Sequence, residues 1–126
     1  LPAPDPNFRV DPRAVDLVSK INAEFGSLEF TPIQFYYQAV ENEEYLALLK
    51  IADVLLITSE RDSVNTIFLD YIASQGHSDN ESDDSRGYGL PIVSEFIGSA
   101  SILPATLQVN PWDHRGIAAI LNSVLA

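Results

Sequence analysis

Two acids eight residues apart, Asp62 and Asp70, frame the stretch of this 126-residue chain best suited to chemistry. Arg61 stands just ahead of them, and Ser63, Val64, Asn65, Thr66 and Ile67 run between. Paired carboxylates can accept hydrogen bonds from the hydroxyls of a polyol or sugar, while helix amides between them hold a phosphate. The same residues also read as ordinary structure, with Asp62 an acid capping a helix and Asp70 a solvated helix residue. Arg61 either neutralises a phosphate or pairs with Glu60 or another surface acid. Asn65 either orients a ligand or caps the helix. Spacing alone leaves these alternatives open.

The elements that must position these residues lie on both sides of them. Val54–Thr58 (VLLIT) is an apolar, β-branched run of the length of a buried strand. Ser59 to Ser63 interrupts it, and Val64, Ile67, Phe68, Tyr71 and Ile72 then recur at helical spacing, which predicts a helix from about Asn65 to Gln75. The loop that leaves a strand's carboxyl end is where open parallel sheets bind ligands, and the following helix dipole favours anions there. Upstream, residues 1–10 form a proline-rich extended lead-in. Asp11 and Pro12 open a helix whose stripe is Ala14, Leu17, Val18, Ile21 and Phe25, with Gly26 as its stop. Phe30 to Tyr37 is aromatic and β-rich and reads as a strand. Asn42 is expected to cap a helix carrying Tyr45, Leu48, Leu49 and Ala52 on its buried face.

Residues 76–89 contain no aliphatic side chain and four acids, the composition of a mobile surface loop. Leu90–Ser94 and Thr106–Val109 read as short strands with a short helix between them. Asp113 caps a last helix with Ile117, Ile120, Leu121 and Val124 in its stripe. Strands alternating with helices imply an α/β fold, a single Rossmann-like lobe over residues 1–126 with a parallel sheet and helices on both faces.

Composition narrows the function. Eighteen acidic residues against seven basic give a net charge of −11, which argues against nucleic acid and against an anionic membrane surface. There is no cysteine, so disulfides, thiolate metal sites and cysteine nucleophiles are excluded. The two histidines, His77 and His114, are too few for a histidine-rich metal site. His77 reads either as a solvated loop residue or as a proton-transfer or metal-binding partner of Asp79 and Asp83. Trp112 reads as packing for the last helix or as a stacking surface. No glycine-rich dinucleotide fingerprint, Gly-Lys-Ser/Thr phosphate loop or Gly-x-Ser-x-Gly elbow is present. No metal, cofactor or membrane span is expected. The chain starts at Leu, as an excised fragment would, and a cytoplasmic location is the default expectation.

Four phrases in order, INAEFGSLEFTPIQFYYQ, EYLALLKIADVLLITSERDSVN, LPIVSEFIGSAS and QVNPWD, resemble the trehalose-6-phosphate synthase family and cover the chain from about Asp11 onward. The resemblance is to the second half of a GT-B glycosyltransferase domain, the Rossmann-like lobe that binds UDP-glucose. The acceptor lobe, and the basic residues that grip the donor diphosphate, fall outside this sequence. The family motif Arg-Asp-Gly-Met-Asn-Leu-Val, with a Glu eight residues after its Asp, corresponds here to Arg61-Asp62-Ser63-Val64-Asn65-Thr66-Ile67 and Asp70. The resemblance implies that Asp62 meets the glucose hydroxyls. It implies too that amides from Val64 to Ile67 meet the diphosphate and that the carboxylate at position 70 meets the ribose.

Ser63 departs from that motif by adding a side chain where backbone approaches the sugar, and Asp70 by its shorter reach. Together with the acidic segment 76–89, which reads as an insertion, these changes resemble the larger subunits of the fungal trehalose synthase complex, regulatory or phosphatase subunits that keep a synthase-like domain without synthase activity. The expected role is regulatory or structural, with the catalytic synthase and other subunits of that complex as partners. On this reading no residue of the chain is catalytic. One alternative is the UDP-glucose-binding lobe of an active synthase acting on glucose 6-phosphate. A third is a sensor that binds donor without turnover. Ser78, Ser82 and Ser85 read either as phosphorylation sites or as solubilising loop residues.

Overall fold

The structure, a computed structural model, describes residues 9–76, 88–101 and 106–126. The acidic segment with His77 and the serines at 78, 82 and 85 lies outside the described residues. The chain divides into two compact units, Leu1–Asn42 and Glu43–Ala126.

In the first unit, helix α1 spans Pro12–Phe25. The Asp11 side chain accepts from the Arg13 N–H at 2.9 Å and proline occupies the first turn, as its sequence implies. Ala14, Val18 and Ile21 are half-buried, whereas Leu17 and Phe25 of the expected stripe are exposed. Gly26 ends the helix by donating to the Asn22 carbonyl.

The strand expected at Phe30–Tyr37 does not form; the segment carries no ladder. Asn22 occupies the main chain there instead, donating to the Ile33 carbonyl and accepting from the Ile33 N–H, both at 2.9 Å. Aromatic and β-branched residues favour a pleated surface only when a neighbouring strand supplies one. Among the described residues no strand pairs with this segment, and Phe30, Phe35, Tyr36 and Tyr37 are exposed.

The second unit holds the sheet. Helix α2 spans Asn42–Ile51, with Asn42 as its first helical residue rather than its cap, a shift of one position. Glu43 and Glu44 sit in its first turn and Lys50 in its last, each suited to the dipole. Strands β1 (Val54–Ile57), β2 (Leu90–Ser94) and β3 (Leu107–Val109) pair in parallel in that order. Helix α3 (Thr66–Gln75) follows β1, a 3-10 turn (Gly98–Ser101) follows β2, and α4 (His114–Leu125) follows β3.

The register Ile57↔Val93 and Val93↔Gln108 puts alternate residues of neighbouring strands on one face. On that face Leu55, Ile57 and Val93 pack with Phe68 of α3 and with Ile97 and Ala100. On the other, Val54, Ile92 and Val109 pack with Ile117, Ile120 and Leu121 of α4. Helices therefore cover both faces of a parallel sheet. Full burial of Phe68 and Val93 contributes roughly 1.5–3 kcal/mol each relative to exposure. Among the described residues no helix is long and apolar enough to cross a membrane, and no group of His, Asp and Glu could hold a metal ion.

Candidate functional site

The site is built where β1 ends. Arg61 is exposed, and among the described residues no carboxylate lies within ion-pair distance of it. The alternative of a pair with Glu60 is not observed, and the guanidinium is exposed. Asp62 is half-buried and tied down twice. Its main chain forms a parallel bridge with Ile97, and its carbonyl accepts the Gly98 N–H at 3.0 Å. Its carboxylate accepts from Asn65 Nδ2 at 3.1 Å through Oδ2. Ser63 and Val64 are exposed beside it.

Asn65 is buried and acts at both ends of its amide. Its Oδ1 accepts the Phe68 N–H at 3.1 Å, which caps α3, while its Nδ2 holds Asp62. The capping alternative is thus the observed one, and capping and orienting Asp62 are the same act. Thr66 and Ile67 form the first turn, where helix N–H groups have no intrahelical acceptor and face the carboxyl end of the sheet. Phe68 anchors this turn in the core, so the amides are presented from a rigid base.

Asp70 stands apart from that cluster. It lies in the second turn of α3, exposed, and its Oδ2 accepts the Tyr45 hydroxyl of α2 at 3.0 Å. Burial, then this hydrogen bond and the carboxylate's charge, push the Tyr45 hydroxyl up to about 12. The structure therefore joins Asp62 to Asn65 and the α3 N-terminus but directs Asp70 toward α2. Tyr45 has a hydroxyl on an otherwise apolar stripe, and only a partner carboxylate on another helix reveals its role. The staple from Ile97 and Gly98 to Asp62 was likewise without a local sequence signal.

The opposite, amino end of the strands is closed by side-chain hydrogen bonds. Tyr71, fully buried, donates to the Ala52 carbonyl at 2.9 Å. Gln75 donates to the Leu49 carbonyl at 2.9 Å and accepts the Gly89 N–H at 3.0 Å, joining α2, α3 and β2. A cleft of about 260 Å³ lies beside Tyr71, Gln75 and Tyr88. It is remote from Asp62, at the end where parallel sheets do not place ligands. At the carboxyl end, Phe96 and Trp112 meet edge to face, ring centres 5.4 Å apart.

Comparison with known proteins places this geometry. The chain matches glycosyltransferase family 20 over residues 8–126. It is 41% identical over 119 residues to a trehalose-phosphatase of Saccharomyces cerevisiae, covering 94% of this chain and 13% of that protein. It is 37% identical over 110 residues to the UDP-forming α,α-trehalose-phosphate synthase of Schizosaccharomyces pombe, covering 87% of this chain and 20% of that one. The N-terminal domain of the Candida albicans trehalose-6-phosphate phosphatase superposes with a TM-score of 0.76 at 40% identity, over 90% of this chain and 22% of that chain. The chain thus spans a fifth or less of the curated relatives it is compared with here. Its parallel sheet with helices on both faces is a Rossmann-like lobe of the GT-B kind. On the matched residues and on the fold, the chain belongs to glycosyltransferase family 20.

Proposed function

We propose that the chain is one lobe of a synthase-like domain that recognises a nucleotide sugar, UDP-glucose, and serves trehalose 6-phosphate synthesis in a regulatory rather than catalytic capacity. The observation that carries this reading is the contrast between the two acids. Asp62 is held by Asn65 beside the α3 amides, a cradle suited to a sugar diphosphate. Asp70 spends one carboxylate oxygen on Tyr45, which weakens its competence to take both hydroxyls of a ribose. Donor is thereby bound loosely, and misplacement by about 1 Å costs on the order of a hundredfold in rate. Arg61, Ser63, Val64, Thr66 and Ile67 complete the proposed contact surface. The partners are a catalytic synthase and the other subunits of a trehalose-synthesising complex, in the cytoplasm.

The test is trehalose 6-phosphate formation from UDP-glucose and glucose 6-phosphate by the full-length protein, alone and mixed with an active synthase. The expected outcome is no product alone and an altered rate in the mixture, the alteration being lost in Asp62→Ala. A second reading, the donor lobe of an active synthase, is favoured by the intact Asp62–Asn65–α3 cap. Product from the full-length protein alone, abolished by Asp62→Ala, would establish that reading in place of the first.

A further inference from the structure

We infer that Gly98 is a positioning residue for the Asp62 loop. Its missing side chain lets the segment after β2 lie directly against Asp62 and Ser63 and so sets where the Asp62 carboxylate stands. The inference rests on the nucleotide-sugar reading of that loop.

The seam between the two segments is close. The Gly98 N–H donates to the Asp62 carbonyl at 3.0 Å, and the bridge from Ile97 to Asp62 continues the contact. A Cβ built on Gly98 would lie 2.7 Å from the Ser63 carbonyl oxygen. No described glycine has a positive φ, so position 98 requires glycine for space and not for backbone conformation.

The two sides of the seam differ in how easily they move. Ile97 and Ala100 are both 2% exposed and pack with Ile57, Phe68 and Val93, so the Gly98 side is anchored in the core. Ser63 is exposed and Asp62 only half-buried. A side chain at 98 therefore displaces Asp62 and Ser63 rather than the core. Restoring ordinary van der Waals separation, 3.4 Å, takes a shift of about 0.7 Å, and loss of one hydrogen bond to the charged Asp62 carboxylate is worth about tenfold in affinity.

The experiment is a calorimetric titration of UDP-glucose into the full-length protein, as parent, Gly98→Ala, Val93→Ala, Ser63→Gly, and Gly98→Ala with Ser63→Gly. Val93→Ala trims the same core away from the seam, so it reports what lost stability alone does to binding, and Ser63→Gly reports what that change does by itself. The expected result is an affinity about tenfold weaker in Gly98→Ala, unchanged in Val93→Ala, and a smaller loss on adding Gly98→Ala to Ser63→Gly than on adding it to the parent. Unchanged affinity in Gly98→Ala overturns the inference, as does an equal loss in Val93→Ala or the same loss in both backgrounds. If Gly98→Ala alone does not fold, the double variant decides: binding near that of Ser63→Gly supports the role and absent binding overturns it. No binding by the parent overturns the nucleotide-sugar reading itself, and the two failures are thereby distinct.

Discussion

Replacing Asn65 by alanine should release the loop and the helix together. Asn65 is 9% exposed, and its amide makes one bond to the Phe68 N–H and one to the Asp62 carboxylate, each 3.1 Å. Loss of a cap costs about 1 kcal/mol, and rather more here because the Phe68 N–H is buried and would be left without an acceptor. The bond to a half-exposed carboxylate adds about another 1 kcal/mol. Asn65→Ala should therefore cost about 2–3 kcal/mol. Asn65→Ser keeps a cap oxygen but has no donor for Asp62, and should cost about 1 kcal/mol. Urea unfolding followed by circular dichroism measures the totals, and hydrogen exchange at the Phe68 amide localises them. An alanine variant within about 0.5 kcal/mol of the parent would refute the reasoning. A serine variant as damaging as alanine would refute the capping share of it.

Other outcomes follow from the contacts on either side of α3. The Tyr45 hydroxyl ionises at about 12 in the folded chain, against about 10 unfolded. Below about pH 10 both states keep the proton and this group adds no pH dependence; as pH rises from there toward 12 the unfolded chain loses its proton first, so stability falls. Burial and the nearby Asp53 raise Tyr71 as well, so Tyr45→Phe should lessen the alkaline slope without abolishing it, measured by unfolding at stepped pH. Gly89→Ala would drive a Cβ into the Tyr71 hydroxyl and to within 2.8 Å of the Ala52 carbonyl, costing about 1–3 kcal/mol. Tyr71→Phe in the same chain should recover part of that loss, and strict additivity in a double-mutant cycle would contradict the contact. Asp70→Glu with Ser63→Gly should tighten UDP-glucose binding by calorimetry, since the first lengthens the reach past Tyr45 and the second clears the loop.

The strand–loop–helix from Val54 to Gln75 was legible because its period changes within the stretch, from a continuous apolar run to helical spacing. Helix starts at Asp11 and Asp113 were legible for a local reason too, since a capping oxygen and the amide it serves lie within three residues. Both fold class and the loop carrying Asp62 follow from such local signals. The segment at Phe30–Tyr37 departs from what its residue types suggest because a strand is a property of a pair: those types suit a sheet, but Asn22 takes the Ile33 main chain. What shapes the site is longer in range. Tyr45 reaches Asp70 across 25 residues, and Ile97 and Gly98 grip Asp62 from a different strand's loop. Nothing in either local pattern encodes the other end. The asymmetry between the two acids, on which the functional reading turns, is for that reason a product of tertiary structure.

The most direct test of binding without transfer is a single calorimetric experiment. UDP-glucose is titrated into the full-length protein in the presence of saturating glucose 6-phosphate. The account predicts a saturating isotherm whose heat returns to baseline after each injection, and its loss in Asp62→Ala. A baseline displaced by continuous turnover, or no heat of binding at all, would contradict it.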